Sequence, residues 1–293
     1  MTGDPGSTTD SPATTRSIRA EKAAKARADA AAKARRATLR SRIVGSIAAA
    51  LLLAILAFLV WASTPLQAEA SPFTAVANNP DLTVTTSRTG VVIAPSEASG
   101  IEPTGQGLVF IAGARVEPAA YASKLSGIAE AGYTVVIALP ILGFGIVEYR
   151  PLATFTSLAP GVESWAVGGH SLGGVRACQY VADMPAAADQ PADAAAPDAL
   201  ILFGSYCAVD LAATDIPVLS LSGENDGLST AEKIADSAGL LPPSADFVEI
   251  AGANHAGFGD YGVQPGDGSS TTDDATIRDS ITAEVVAILD GVR

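Results

Sequence analysis

A serine, a carboxylic acid and a histidine, met in that order along a chain, can relay a proton and turn an alcohol into a nucleophile. Ser171 stands in Gly169-His170-Ser171-Leu172-Gly173, a G-x-S-x-G pentapeptide between a strand-like run and a helix-like one. Asp226 follows in "VLSLSGENDGL", with Glu224 as the alternative acid, and His255 follows in "VEIAGANHAGF". Both loops leave the carboxyl end of a strand-like run, the edge at which open α/β sheets bind ligands. The chain holds only two histidines, so the base is either His170 or His255. Adjacent side chains diverge in a sharp turn, so His170 is expected to pack against neighbouring structure. His255 is then the base, and Asp226 holds its ring in the useful tautomer. Gly169 and Gly173 are the small residues that a strained elbow around the nucleophile demands. An oxyanion hole needs two backbone N–H donors. These are assigned to Leu172, just past the nucleophile, and to Ala114, in the turn after the early strand "GLVFIAG". Arg115, next to Ala114, either meets an acidic substrate group or faces solvent.

The elements that must carry these residues are legible as short apolar runs. "TGVVIAP", "GLVFIAG", "YTVVIALP", "SWAVGG", "DALILFGS", "IPVLSLSG" and "ADFVEIAG" are strand-like. "PAAYASKLSGIAEAG", "SLGGVRACQYVADM" and "DATIRDSITAEVVAILDG" are helix-like, the first opening on Pro118 and ending at Gly132. Continuous apolar strands alternating with helices predict an α/β fold, a mostly parallel sheet covered on both faces. Only ten residues separate "DALILFGS" from "IPVLSLSG", too few for a helical cap domain, so the site is expected to be open. Surface loops such as "PILGFGIVEYRP" would then set specificity. The Ala/Pro/Asp-rich "MPAAADQPADAAAPDA" reads as a surface excursion.

Charge divides the chain. Residues 1–42 hold ten Lys/Arg against four Asp/Glu, and the remainder eight against twenty-seven. An acidic catalytic part lacks the clustered cations that nucleic acid would need as a partner. Residues 1–42 read as a basic, partly disordered cytoplasmic tail, with a solvated Ala/Lys/Arg-rich helix that lacks an apolar face. Residues 43–62 carry no charge and suffice for a transmembrane signal anchor, with Trp61 at one end and Arg40 and Arg42 at the other. The positive-inside rule then predicts a single-pass protein of the cell membrane, its N-terminus cytoplasmic and its catalytic domain extracytoplasmic. A cleaved signal peptide ending at "AEA", residues 68–70, is the rival reading, which the long charged leader disfavours. Residues 63–80 read as an exposed linker and 81–293 as the catalytic domain. In an exported domain, the two cysteines Cys178 and Cys207 are expected to form a disulfide.

"GGHSLGG", "SGENDGL" and "GANHAGFGDYGVQPGDG" together resemble the α/β-hydrolase superfamily, and most of all its dienelactone-hydrolase-like branch, over roughly residues 85–293. The resemblance implies an eight-stranded, mostly parallel sheet and hydrolysis of esters or related acyl compounds without metal or organic cofactor. It carries over Ser171 as nucleophile, Asp226 as acid and His255 as base. Gly259-Asp260-Tyr261 matches a stretch of that branch and is given a structural role. Two departures stand out: the nucleophile is serine where true dienelactone hydrolases use cysteine, and "AGARV" lacks the glycine-rich oxyanion turn of many relatives. The expected activity is therefore that of a membrane-anchored serine hydrolase acting on a small-molecule ester or acyl substrate. Acyl transfer or peptide cleavage could use the same triad. A non-catalytic binding protein of the same fold is the alternative from another class, and it predicts a damaged triad.

Overall fold

A computed structural model describes residues 12–62, 64–183 and 196–292, and the chain divides into two units at Trp61/Ala62. The first unit is helix α1 (Pro12–Ala62), favoured by its Ala/Lys/Arg-rich beginning. Its most apolar eighteen-residue window has a mean hydropathy of 2.9, long and apolar enough to cross a membrane.

The second unit is built on an eight-stranded sheet. The strands are β1 (Leu82–Thr86), β2 (Gly90–Pro95), β3 (Gln106–Ile111), β4 (Thr134–Ala138), β5 (Ser164–His170), β6 (Leu200–Phe203), β7 (Val218–Gly223) and β8 (Asp246–Ile250). Their order is β1-β2-β4-β3-β5-β6-β7-β8; β1/β2 and β2/β4 pair antiparallel and all other neighbours parallel. The sheet separates two cores, and side chains alternate between them with the strand period of two. Leu108 and Phe110 of β3, Val135 and Ile137 of β4, and Ile201 and Phe203 of β6 enter one core. Val109 and Ile111, Val136 and Ala138, and Leu200 and Leu202 enter the other. Helices α2 (Ala70–Ala77), α3 (Ala122–Glu130) and α7 (Asp274–Gly291) cover the first face, α7 through Ile277, Ile281, Val285 and Leu289 on one stripe. Helix α5 (Leu172–Ala182) helps to cover the second through Ala177, Cys178 and Tyr180. The short helices α4 (Ala153–Thr156) and α6 (Ala231–Ser237) complete the set.

Two regions differ from the sequence expectation. The eighth strand, β1, is an edge strand of threonines and small apolar residues with little contrast between its faces. Residues 63–80, read as an exposed linker, are docked from Thr64 onward. Leu66 bridges to Val116, the Ala68 N–H donates to Glu117 Oε2 (3.1 Å), and the Glu69 N–H donates to the Asp260 carbonyl (2.8 Å). Phe73 and Val76, one helical turn apart in α2, pack on the first core, and this apolar pair outweighs the Pro and Asn that suggest a linker. The connection from β6 to β7 contains no helix, so no cap covers the sheet edge there. The excursion assigned to residues 184–199 falls largely outside the described residues, as does the start of the N-terminal tail.

Candidate active site

Strand β5 turns into helix α5 through Ser171, whose backbone sits at φ 54° and ψ −126°. That conformation costs an L-residue about 1–3 kcal/mol and persists only where neighbours impose it. Here they do. The Ser171 N–H donates to the Phe203 carbonyl (3.0 Å), and its carbonyl accepts from Gly174 N–H (3.0 Å) and Ser205 Oγ (2.7 Å). A Cβ on Gly173 would collide with the Ile111 carbonyl, and one on Gly169 with the backbone of Gly173. Both elbow glycines are therefore steric requirements, and the half-buried Ser171 hydroxyl is held at the carboxyl edge of the sheet.

Asp226 and His255 meet across the loops after β7 and β8. His255 Nδ1 lies 2.7 Å from Asp226 Oδ2, and both residues are buried. The other oxygen of Asp226 accepts the N–H groups of Leu228 (2.8 Å) and Ser229 (2.6 Å), which fixes the carboxylate. His255 Nε2 is buried and makes no hydrogen bond, Ser171 included, so it is the ring atom left for an incoming proton. The pair sits beside the elbow. Phe203 holds the Ser171 N–H, and a Cβ on the next residue, Gly204, would lie 2.9 Å from Asp226 Oδ2 and 3.0 Å from His255 Nδ1. Glu224 is committed elsewhere, its Oε2 accepting the Gly252 N–H at 2.7 Å.

His170 is buried and paired with Tyr121: its Nδ1 lies 3.0 Å from the Tyr121 hydroxyl, which accepts the Gly113 N–H at 2.9 Å. The hydroxyl proton is accordingly assigned to Nδ1, and the proton of His170 to Nε2. Burial first, and then the charge of neighbouring His255, hold the His170 imidazole well below its ordinary range, against a smaller opposing pull from the His255 carbonyl. The two rings lie 4.4 Å apart between centroids. Burial likewise keeps Tyr121 protonated far above the usual phenol range, despite the Gly113 N–H.

Tyr121 thus ties His170 to the turn carrying Ala114. Among the described residues, no backbone acceptor takes the N–H of Ala114 or of Leu172. The Arg115 guanidinium donates to the carbonyl and, at 3.2 Å, the Oγ1 of Thr64, a partner the sequence reading did not name. Docking of the 64–69 segment supplies that partner. Asp260 forms a buried ion pair with Lys124 (2.6 Å), and its carbonyl receives Glu69 N–H. Burial holds its carboxyl above the usual range while Lys124 opposes this. Cys178 of α5 is bridged to Cys207, with Cα atoms 5.6 Å apart, and the bridge ties the elbow helix to the loop containing Gly204 and Ser205.

Two residues at the site were missed from sequence. Gly204 is one; Asp267 is the other. Asp267 Oδ1 accepts the N–H groups of Gly227 (3.1 Å), His255 (3.1 Å) and Gly268 (2.7 Å), and Oδ2 accepts that of Ala256 (2.8 Å). One carboxylate therefore clips the acid loop to the base loop. The "GDG" around it gives no sequence sign of this, because the partners are backbone groups. Among the described residues no cluster of three or more His, Cys, Asp or Glu could hold a metal ion.

No curated protein is significantly similar. Esterase 2 of Thermogutta terrifontis, solved as the form phosphoramylated by tabun, superimposes with a TM-score of 0.50 at 15% identity, over 72% of this chain and 95% of its own. A predicted CIB-like hydrolase of Thermoplasma acidophilum (TM-score 0.49, 12% identity, 71% of this chain and 98% of its own) is also similar. So is a bacterial membrane phospholipase A (TM-score 0.49, 17% identity, 84% and 98%). Residues 107–279, more than half of the chain, match the sequence profile of a single family. With its eight-stranded sheet and strained strand-to-helix serine, the chain belongs to the alpha/beta hydrolase family.

Proposed function

We propose that this hydrolase uses Ser171, His255 and Asp226 to cleave carboxylic esters or related acyl compounds through an acyl-enzyme. One observation carries the reading: a buried, tightly paired Asp226–His255 couple, its Nε2 without a hydrogen bond, packs against His170 and Gly204, next to the strained elbow that holds Ser171. In the first half-reaction His255 Nε2 takes the Ser171 hydroxyl proton as Oγ attacks the acyl carbon. The oxyanion that forms is received by the N–H groups of Leu172 and Ala114, whose lack of backbone acceptors suits them to that role. The proton passes to the leaving alcohol. Water, deprotonated by the same nitrogen, then releases the acid and regenerates the serine. Asp226 stabilises the imidazolium formed in both halves. The 43–62 segment would anchor the enzyme with its catalytic domain outside the cytoplasm, on the strength of its length and the flanking Arg40 and Arg42. Turnover of p-nitrophenyl acetate by the full chain, and its loss by about a thousandfold or more in Ser171→Ala, tests the reading. A Ser171→Ala variant as active as wild type would remove it.

A further inference from the structure

Three described residues other than glycine have positive φ: Ser171 (54°), Arg115 (58°) and Leu142 (54°). The first is the elbow and the second adjoins the turn of Ala114. The third shares positive φ with Gly143 (73°) at the centre of a turn closed by the Phe144 N–H on the Ile141 carbonyl (3.0 Å), and the leucine is 55% exposed, outside both cores. It lies in the loop 140–150, which joins the two turns bearing the proposed oxyanion donors. The Arg115 N–H donates to the Gly143 carbonyl (2.7 Å), and a Cβ on Gly145 would lie 2.6 Å from the Leu172 carbonyl. Leu142 and Ile146 flank these two glycines, and Ile146, Val147 and Tyr149 are exposed as well. The loop is braced from within. Buried Glu148 accepts the N–H groups of Ile141 (3.0 Å) and Arg150 (2.9 Å) and pairs with the Arg150 guanidinium, which also donates to the Leu139 carbonyl (2.7 Å). Burial would raise the Glu148 carboxyl, but the Arg150 contacts outweigh it and keep the group ionised.

We infer that the loop 140–150 is the subsite for the apolar acyl chain of the ester, with Leu142 and Ile146 as its contact residues, so that the substrate class is esters of longer fatty acids rather than acetates. The inference rests on the serine-hydrolase reading of the same site. A ledge of exposed apolar residues on a braced frame, next to glycines that abut Leu172 and the Arg115 that follows Ala114, is placed to take an apolar chain out of water.

The test is kcat/KM for p-nitrophenyl acetate and hexanoate, measured on the full chain in lipid nanodiscs. Wild type should favour hexanoate by about tenfold, a gain below that of methylenes in an enclosed pocket because the ledge is open. Ile146→Ser and Leu142→Asn should each lower the hexanoate-to-acetate ratio about threefold. Asparagine tolerates positive φ, and Ile146 is too exposed for its truncation to unpack a core. Phe247→Ser, at an exposed position on β8, should leave the ratio unchanged. A wild-type ratio near one, or a ratio that neither variant moves, overturns the subsite while ester turnover leaves the hydrolase reading standing. A preference that follows chain length in the alcohol, tested with hexyl acetate, does the same. Absence of turnover of any ester overturns both.

Discussion

Six consecutive residues, 169–174, make the elbow that carries Ser171, whereas its would-be partners are assembled from Gly204, Asp226, His255 and Asp267, which no local pattern connects. The elbow is held by exclusion: every place where a Cβ would strike backbone is glycine. The acid–base side is held by hydrogen bonds, most of them from backbone N–H groups to carboxylates. Local strain leaves a compositional mark at fixed offsets. Long-range clipping by a carboxylate leaves none. The two sides should accordingly fail in different ways, one by loss of structure and the other by loss of rate.

The sharpest contrast comes from Gly173→Val against Asp226→Asn. The valine has no room, because its Cβ would enter the carbonyls of Ile111, at the end of β3, and of Ala112 just beyond it, so the variant should lose its cooperative thermal transition. Asp226→Asn should melt near wild type yet lose about 10³–10⁴ in kcat, as the imidazole loses its tautomer and its counter-charge. Glu224→Gln, whose carboxylate accepts the Gly252 N–H, should retain most turnover; the reverse order of the two acids would break the assignment. Asp267→Asn comes next. An amide keeps one acceptor oxygen but turns its NH₂ toward N–H donors. A fall of roughly 10–100-fold in kcat with about 1–3 kcal/mol of stability lost should appear in parallel kinetic and urea-denaturation measurements. An unchanged kcat would show that the clip does not position the pair.

The smallest effect concerns His170 and pH. Its folded-state pKa lies below the unfolded value of about 6.5, so the unfolded chain binds the proton first. The stabilisation is complete above about pH 6.5 and is lost as pH falls from there towards the folded pKa. Urea denaturation of wild type should lose up to ~1.4 kcal/mol per pH unit more than His170→Gln between pH 6.5 and 5. Equal slopes would mean that His170 is not held neutral.

The sheet was legible because β3 to β7 are continuous apolar runs buried almost throughout, while β2 and β8, though partly exposed, follow the same pattern of apolar run and turn. The eighth, β1, alternates weakly and was missed, and the docking of residues 64–80 was masked by Pro and Asn around the Phe73/Val76 pair. At the site, Ser171, Asp226 and His255 were legible because the elbow has a steric signature and its partners end successive strands. Gly204 was not, since its demand comes from a side-chain pair assembled across the fold, and Asp267 was not, since it reads backbone alone.

Ser171 activated by the Asp226–His255 pair is the claim on which the rest depends. Intact-mass and peptide mapping after exposure to a fluorophosphonate measures it directly. The account predicts one adduct, on Ser171, formed rapidly in wild type and slowed by orders of magnitude in His255→Ala; an unmodified wild-type chain, or an adduct on another residue, would contradict it.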